Sequence, residues 1–242
     1  MFQIGAAALL LSGSALADSV DLSSWAGTAG GNWNVQGAGN DSVLQTINGQ
    51  PTMFYNQQDS QGQALSGTIK AISGWDDDYI GFVLGYNAGD LDNASADYIL
   101  IDWKRGNQLG AKRGLAISRV TGAIKNNAGN SAWLHTGVVE ELDRATTLGD
   151  TGWIYGTEYT FDLIFTASLI EVFVDGAKEL SISGTFNNGS FGFYNYSQSN
   201  VLYAGITQTT APAVPVPAAL FMFAPALLGF MGLRRKAKTT TA

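Results

Sequence analysis

The sequence predicts an all-β fold, a sandwich of two antiparallel sheets, and three observations carry this prediction. Glycine is abundant, with 30 among 242 residues, and aromatic residues reach 11%, a mixture that favours short strands and tight turns. From Asp18 to about Gln208, strand-sized apolar runs alternate with clusters of Gly, Asn and Asp. No stretch in this range shows a sustained apolar stripe of 3.6-residue period, so helical crossovers between strands are not expected.

The strand pattern is clearest in the middle of the chain. Tyr79–Tyr86 is apolar at both alternating positions, which predicts a central strand that is covered on both faces. Asp175-Gly176 separates two alternating runs within 169–180, which predicts a hairpin because its turn needs positive φ. The segment 139–148 is predicted to form a short helix or a turn. The other predicted strands are 98–103, 114–120, 159–165, 191–196 and 201–207.

Composition excludes several classes of site. The chain has no cysteine, which excludes disulfides, thiol nucleophiles, zinc fingers and iron–sulfur sites, and one histidine, which excludes a multi-histidine metal centre. The net charge of −7 argues against nucleic acid as a partner. Residues 18–213 alone hold nine basic and 20 acidic residues, a net charge of −11. Such an acidic surface suits divalent cations.

The first 17 residues are typical of a secretory signal peptide. An apolar run from Ile4 to Leu11 is followed by Ala15-Leu16-Ala17, an A-x-A pattern that predicts cleavage between Ala17 and Asp18. The alternative is a short anchor or a buried strand. We therefore expect a folded domain at 18–208, a linker at 209–213 and a separate tail at 214–242.

The tail has three consecutive parts. The apolar run Ala218–Leu233 would span about 24 Å as a helix, short of the roughly 30 Å hydrocarbon core of a membrane. It is preceded by a proline motif and followed by a basic cluster, which the positive-inside rule keeps in the cytoplasm. The motif residues are Val214, Pro215, Val216 and Pro217, and the basic residues are Arg234, Arg235 and Lys236.

This tail resembles the PEP-CTERM sorting signal, although Val216 stands where the commonest form of the signal has glutamate. The resemblance implies an exosortase-like processing enzyme, membrane contact through the tail before processing, and export to the envelope, cell surface or extracellular matrix of a Gram-negative-type bacterium. The alternative is a plain C-terminal membrane anchor.

Five ordered segments between about residues 60 and 206 resemble the thrombospondin C-terminal domain. They are Trp75–Tyr86 with its D-D-D-Y-I-G-F core, Asp102-Trp103-Lys104, Ala132–Gly137, Gly152-Trp153 and Phe191–Asn200. The resemblance implies a lectin-like jelly roll of the concanavalin A type, calcium sites and a role in adhesion or matrix. The chain departs from the family in lacking its cysteine, in having Arg105 in place of glutamine, and in lacking the upstream calcium-binding repeats.

The densest carboxylate cluster is Asp76, Asp77 and Asp78, just before the strand at 79–86. Three adjacent like charges repel one another unless a cation or solvent neutralises them. Calcium takes six to eight oxygen ligands, and we expect backbone carbonyls at this strand end to be free as well. We predict a calcium site here. The alternative is a solvated turn whose Asp side chains cap backbone amides.

Further candidate ligand residues are Asp90 and Asp92, in an acidic loop that does not match an EF-hand, and Asp102 in the middle of a strand. Asp102 belongs either to a concave binding face or, as an ordinary residue, to an edge or the solvent side. His135 is predicted to be structural, with a backbone hydrogen bond to its side chain. Most of the six tryptophans are expected in the core, although an exposed one would suit a sugar ring.

The pattern predicts a non-catalytic, exported module that binds calcium and acts in adhesion or in glycan or matrix binding. A catalytic pair of carboxylates is not evident, because neither Glu141 with Asp143 nor Glu171 with Asp175 completes an acid–base set, and no G-x-S-x-G motif is present. Two alternatives remain: a surface glycoside hydrolase on the same sandwich, and a structural matrix protein without a specific ligand.

Overall fold

The computed structural model describes residues 17–212, without the side chains of 127–129, and confirms the all-β prediction. The strands of this region are β1 (Asp18–Ser19), β2 (Ala26–Gly27), β3 (Trp33–Gln36), β4 (Ser42–Gln45), β5 (Thr52–Tyr55), β6 (Gln63–Ala71), β7 (Tyr79–Tyr86), β8 (Tyr98–Lys104), β9 (Gly114–Val120), β10 (Val139–Arg144), β11 (Tyr159–Phe165), β12 (Leu169–Val174), β13 (Ala177–Ser183), β14 (Ser190–Tyr196) and β15 (Val201–Thr210). One α-helical turn, α1 (Ser131–Leu134), and 3-10 turns at Leu22–Ser24, Asp90–Asp92 and Lys125–Asn130 complete it.

These strands form two antiparallel sheets. The eight-stranded sheet has the order β13-β12-β11-β6-β15-β4-β3, with β1 also paired to β15. The seven-stranded sheet has the order β10-β9-β8-β7-β14-β5-β2. Apolar side chains from both sheets form one core between them, so the domain is the predicted lectin-like sandwich.

The strand β7 is buried along its whole length, as predicted. Its neighbours in the sheet are β8 and β14, and the other sheet covers one of its faces. Gly81 permits the close approach of β8, because a Cβ atom at this position would lie 2.0 Å from the carbonyl oxygen of Ile101. Larger residues are therefore excluded at the centre of this strand pair.

The two faces of the seven-stranded sheet pack against different partners. The inner face, toward the other sheet, is apolar in its central strands and includes Ile80, Phe82, Ile99, Ile101, Leu115 and Ile117. The opposite face, here called the tyrosine face, includes Tyr79, Tyr98, Asp102, Lys104, Ser118, Tyr194 and Tyr196. Loop residues such as Leu91, Ile124 and Ala132 cover it and form a second apolar cluster with its tyrosines.

Two local predictions have opposite outcomes. The hairpin is confirmed, since Asp175 and Gly176 have φ values of 48° and 77° between β12 and β13. The prediction of a helix or turn at 139–148 is wrong for its first half, because Val139–Arg144 forms the edge strand β10 paired with β9. Its acidic side chains suit an edge, where charges face solvent and discourage pairing with other chains.

The predicted segments at the ends of the chain lie outside the described residues. These are the signal peptide up to residue 16 and the whole sorting tail, 214–242. The first strand begins at Asp18, and β15 continues through Thr210, so two residues of the predicted linker belong to a strand. Within residues 17–212, no helix is long and apolar enough to cross a membrane.

Candidate functional site

The acidic triad Asp76–Asp78 lies at the entry to β7, where its carboxylates converge. One oxygen from each side chain lies within 4.8 Å of the others. Asp78 is buried, whereas Asp76 and Asp77 are half-buried and reach solvent. This convergence makes the triad the candidate cation site of the described region.

The side chain of Lys104 reaches into the triad and is completely buried. Its ammonium group forms an ion pair with Asp78 and lies 3.6 Å from a carboxylate oxygen of Asp77. It also donates to the backbone carbonyl of Asp77 at 3.2 Å and lies over the ring of Trp133 at 4.5 Å. A lysine therefore already supplies part of the positive charge that three adjacent carboxylates need.

Lys104 was part of the quoted sequence resemblance, but its role was not predicted. The pairing of β7 with β8 places Lys104 directly opposite Tyr79, the residue that follows the triad. That register cannot be read from local sequence. The signal that was present is a lysine at the end of a largely apolar strand, where a charge requires a partner.

Burial and the neighbouring Asp76 raise the pKa of Asp78 to about 6, although Lys104 opposes this rise. The ion pair with Lys104 therefore favours the ionised form of Asp78, which burial disfavours. Asp76 and Asp77 are the carboxylates that face outward and have no ion pair as short as that of Asp78.

The expectation of free backbone carbonyls at the triad is wrong. The carbonyl of Asp76 accepts the hydroxyl of Tyr155 at 2.7 Å, and that of Asp78 accepts the indole N–H of Trp153 at 3.0 Å. The carbonyl of Asp77 accepts backbone N–H groups of the next loop at 3.0 and 3.2 Å. Because these carbonyls are engaged, additional cation ligands would come from side chains.

Side chains from two other loops supply oxygen atoms beside the triad. The amide of Asn48 donates to Asp76, and the hydroxyl of Ser197 donates to Asn48 at 3.4 Å. The side-chain oxygen of Gln198 accepts the backbone N–H of Asp78 at 3.3 Å. A cation at the triad would therefore join three separate loops of the sandwich.

A second cluster of charges lies on the tyrosine face around His135. Asp102 Oδ2 lies 3.0 Å from His135 Nε2, and Glu141 Oε2 lies 3.1 Å from His135 Nδ1. Arg144 then donates to both oxygens of Glu141, at 2.9 and 3.0 Å. The result is a row of four alternating charges from a fully buried residue to the surface.

Burial opposes a charge on His135, but Asp102 and Glu141 together outweigh it and raise the pKa of the imidazole to about 10. The hydrogen bond from His135 and the guanidinium of Arg144 lower the pKa of Glu141 to about 2, against the effect of burial. His135 is therefore a permanent cation at neutral pH. Its structural role agrees with the sequence expectation, but the predicted backbone partner is wrong, since two carboxylates hold the ring.

The position of His135 between Asp102 and Glu141 argues against a catalytic role for these two carboxylates. Asp102 and Glu141 face each other across His135, so the imidazole occupies the gap between these two carboxylates. A retaining glycosidase needs its two carboxyl groups free and about 5–5.5 Å apart around the sugar. Asp102 is also fully buried, so it lies neither at an edge nor on the solvent side.

The acidic loop after β7 uses its carboxylates internally. Asp90 accepts the backbone N–H of Asn87 at 2.8 Å and the side chain of Asn93 at 3.1 Å. Asp92 pairs with Lys125 at 2.6 Å. These contacts hold the loop in place, and a ligand role for Asp90, Asp92 or Asp102 stays a prediction.

Tryptophans divide between the core and the surface. Trp25, Trp103 and Trp153 are buried, as expected. Trp75, directly before the triad, is fully exposed at 102% of its reference area. It is the most exposed of the large apolar side chains in the described region and adjoins the candidate cation site.

Comparison with known proteins identifies the family. A profile of the thrombospondin C-terminal region matches residues 28–211. The chain belongs to this family. The match begins about 30 residues before the segment in which the sequence resemblance was found, so β3 to β5 belong to the family domain as well.

Similar curated proteins are animal thrombospondins and a related matrix protein. Thrombospondin-3b of Danio rerio is 24% identical over 211 residues, covering 76% of this chain and 21% of that protein. Thrombospondin-4 of Bos taurus is 25% identical, covering 76% and 20%. Cartilage oligomeric matrix protein of Bos taurus is also 25% identical, covering 76% and 26%. The chain thus spans about a fifth to a quarter of the length of these relatives.

Similar solved structures include a carbohydrate-binding module and the exoplasmic/lumenal domain of VIP36. The carbohydrate-binding module CBM66 from Bacillus subtilis has a TM-score of 0.56 at 9% identity, covering 76% of this chain and 94% of that one. The VIP36 exoplasmic/lumenal domain in its Ca2+/Man-bound form has a TM-score of 0.52 at 13% identity, covering 80% and 86%. At these identities the likeness concerns the fold alone.

Proposed function

We propose that this chain is a non-catalytic, exported module that binds calcium at Asp76–Asp78 and acts in adhesion or in glycan or matrix binding. The observation that carries the proposal is the convergence of three carboxylates at a junction of three loops, within a domain of the thrombospondin C-terminal family. The VIP36 structure that shares the fold was solved with calcium and mannose bound, which supports the proposal of calcium and glycan binding.

The oxygen atoms of the triad suit a calcium ion, although one of the three carboxylates is shared with a lysine. Carboxylate oxygens are among the ligands that calcium prefers, and Asp76 and Asp77 provide them at the surface, whereas Asn48 turns its amide N–H toward Asp76. Asp78 is shared with Lys104, so its oxygens are only partly available. Asp76 and Asp77 would be the principal ligands, and the bound ion would stabilise the loop junction.

The proposal of export follows from the ends of the chain. A cleavable signal at 1–17 and a PEP-CTERM-like tail at 214–242 would place the acidic domain at the envelope, the cell surface or the matrix. An exosortase-like enzyme would be the processing partner, and the tail would contact the membrane before processing. Extracellular calcium would then be available to the triad.

The experiment measures three quantities on the purified full chain in millimolar calcium. These are retention on a polysaccharide-coated surface, release of reducing sugar ends, and calcium bound per chain. We expect retention without release, and calcium binding that is weaker in Asp77→Asn, which loses one charge and one ligand at constant volume. Asp175→Asn, in the hairpin turn between β12 and β13, removes a carboxylate that makes no contact with the triad and is the matched control.

The alternatives give different results in the same experiment. Release of reducing ends would identify a hydrolase and overturn the non-catalytic assignment. Absence of both retention and calcium binding would leave a structural matrix protein without a specific ligand. Calcium binding that is equal in the wild type and Asp77→Asn would remove the triad as its site.

A further inference from the structure

A cavity lies at the end of β7 that is opposite to the triad. The triad precedes Tyr79 and the cavity begins after Tyr86, so eight strand residues of about 3.3 Å each separate them by roughly 26 Å. Its volume is about 240 Å³. Its lining residues come from the ends of β5 and β14 and from the loops that follow β5, follow β7 and precede β14: Tyr55, Gln57, Gln58, Asp59, Asn87, Ala88, Gly189 and Ser190. We call this cavity the amide pocket.

The amide pocket is lined by polar side chains that are open to solvent. Ser190 is 4% exposed and Tyr55 is 8% exposed, and within residues 17–212 neither hydroxyl oxygen belongs to the fully buried polar atoms that lack a partner, so both oxygens reach the cavity. The side chains of Gln58 and Asp59 make no hydrogen bond within that part of the chain. Because these two oxygens face the open cavity, a ligand that enters it can form hydrogen bonds with the hydroxyl groups of Ser190 and Tyr55.

The pocket is rigid because its loops are held by contacts outside it. Gln57 adopts a φ of 58° while its side chain donates to the carbonyl of Ser24 at 2.8 Å. The N–H of Ser60 donates to the carbonyl of Gly189 at 2.8 Å, which joins two of the lining loops. A Cβ atom on Gly189 would lie 2.6 Å from the backbone of Gly85, so this wall requires glycine. Such preorganisation lowers the entropy lost on binding.

The chemistry of the lining selects the class of ligand. It offers hydroxyl, amide and carboxylate groups, and Asp59 is its one charged side chain. Phosphate, sulfate and uronate ligands would meet a like charge and no cation. A ligand with several hydroxyl groups can donate to Asp59 and both donate to and accept from the hydroxyls and amides. The volume lies below the roughly 300–1,000 Å³ of pockets for drug-sized ligands, which favours a single ring.

We propose that the amide pocket binds one neutral sugar ring of a polysaccharide, and that it does so independently of calcium. This inference rests on the proposed function as a glycan-binding module and assigns that function a site. Independence from calcium follows from the separation of the two ends of β7. The module then has a cation site at one end of the strand and a sugar site at the other.

The test is a calorimetric titration of the full chain, in chelator, with glucose, galactose, mannose and N-acetylglucosamine, and with glucuronate as the charged probe. We expect saturable binding of at least one neutral sugar and at least tenfold weaker binding of glucuronate. Ser190→Ala and Asp59→Asn should each weaken neutral-sugar binding by at least fivefold. Asp59→Asn should also reduce the ratio between neutral-sugar affinity and glucuronate affinity, because the carboxylate that repels glucuronate is removed.

The control is Asp150→Asn, which removes an exposed carboxylate far from the pocket and should bind the sugars as the wild type does. No saturable binding of any neutral sugar up to 100 mM would overturn the proposal, as would unchanged binding in both pocket variants. If calcium binding persists while sugar binding fails, the pocket assignment fails and the calcium part of the proposed function stands. If a polysaccharide is retained equally by both pocket variants, the glycan site lies elsewhere.

Discussion

The inner face and the tyrosine face of the seven-stranded sheet come from the same strands but bury different groups. On β7 to β9 the inner face buries aliphatic and aromatic side chains against the other sheet. The tyrosine face buries phenols, a lysine, an aspartate and a serine beneath loops. Within the described region, Tyr98 OH, Asp102 Oδ1, Ser118 Oγ and Tyr194 OH are buried there without a hydrogen-bond partner.

The inner face therefore contributes mainly to stability, whereas the tyrosine face also holds the polar groups that could bind a ligand. Apolar burial stabilises without demanding a particular geometry, so the inner face tolerates changes of similar volume. Buried charges stabilise only when they are paired, so Lys104 and His135 each need carboxylate partners at short distance. Both proposed binding sites lie where the tyrosine face reaches an end of β7, because polar groups there are held in place and still reach solvent.

The largest effect is expected on the inner face. Phe82 is 5% exposed and its ring centroid lies 4.5 Å from that of Phe161. Phe82→Ala should lower the free energy of unfolding by about 3–5 kcal/mol, because it leaves a cavity. Urea unfolding measures this, and Phe173→Ala, at a partly exposed position, should cost about 1 kcal/mol or less. A small effect at Phe82 would show that the inner face does not carry the core.

A somewhat smaller effect is expected from unpairing a charge on the tyrosine face. Lys104→Met leaves Asp78 buried without its cation, and in chelator this should cost about 3 kcal/mol. Calcium should restore part of the loss, because Asp78 then adds its full charge to the triad. Lys178→Met, which breaks an exposed ion pair with Glu171, is the control and should cost about 0–1 kcal/mol. Equal losses in the two variants would contradict a special role for Lys104.

The pH dependence sharpens the comparison further. The pKa of His135 is about 10 in the folded chain and near 6.5 when unfolded, so its stabilisation is complete below pH 6.5 and is lost as pH rises toward 10. Between pH 6.5 and 8 this predicts a loss of about 2 kcal/mol in the free energy of unfolding.

The variant His135→Gln should lack this part of the pH dependence, whereas Phe82→Ala should retain it. Denaturant unfolding at several pH values compares the three proteins. If the free energy of unfolding falls equally with rising pH in the wild type and His135→Gln, groups other than His135 cause the fall.

Features that depend on local sequence could be predicted, whereas contacts between distant residues could not. The central strand Tyr79–Tyr86 and the turn at Asp175-Gly176 were predictable because burial and turn geometry depend on local sequence. The pairing of Lys104 with Asp78 depends on strand register over 26 residues, and that of His135 with Asp102 depends on how the end of α1 packs on the sheet, 33 residues along the chain. Glu141 was missed as a partner because its charged segment does not look like a strand. Tyr55 and Ser190 of the amide pocket have no common motif, since folding alone brings them together.

The triad is the most direct test of the account, because its proposed ion joins three loops only in the folded state. Binding should then stabilise by about 2.7 kcal/mol at a hundredfold excess of calcium over Kd. For a domain of this size that raises the melting temperature by roughly 5–11 °C. The measurement is the melting temperature of the wild type and Asp77→Asn in millimolar calcium and in chelator. We predict a higher value in calcium for the wild type and a smaller difference for Asp77→Asn, whereas equal wild-type values in calcium and chelator would contradict the calcium site.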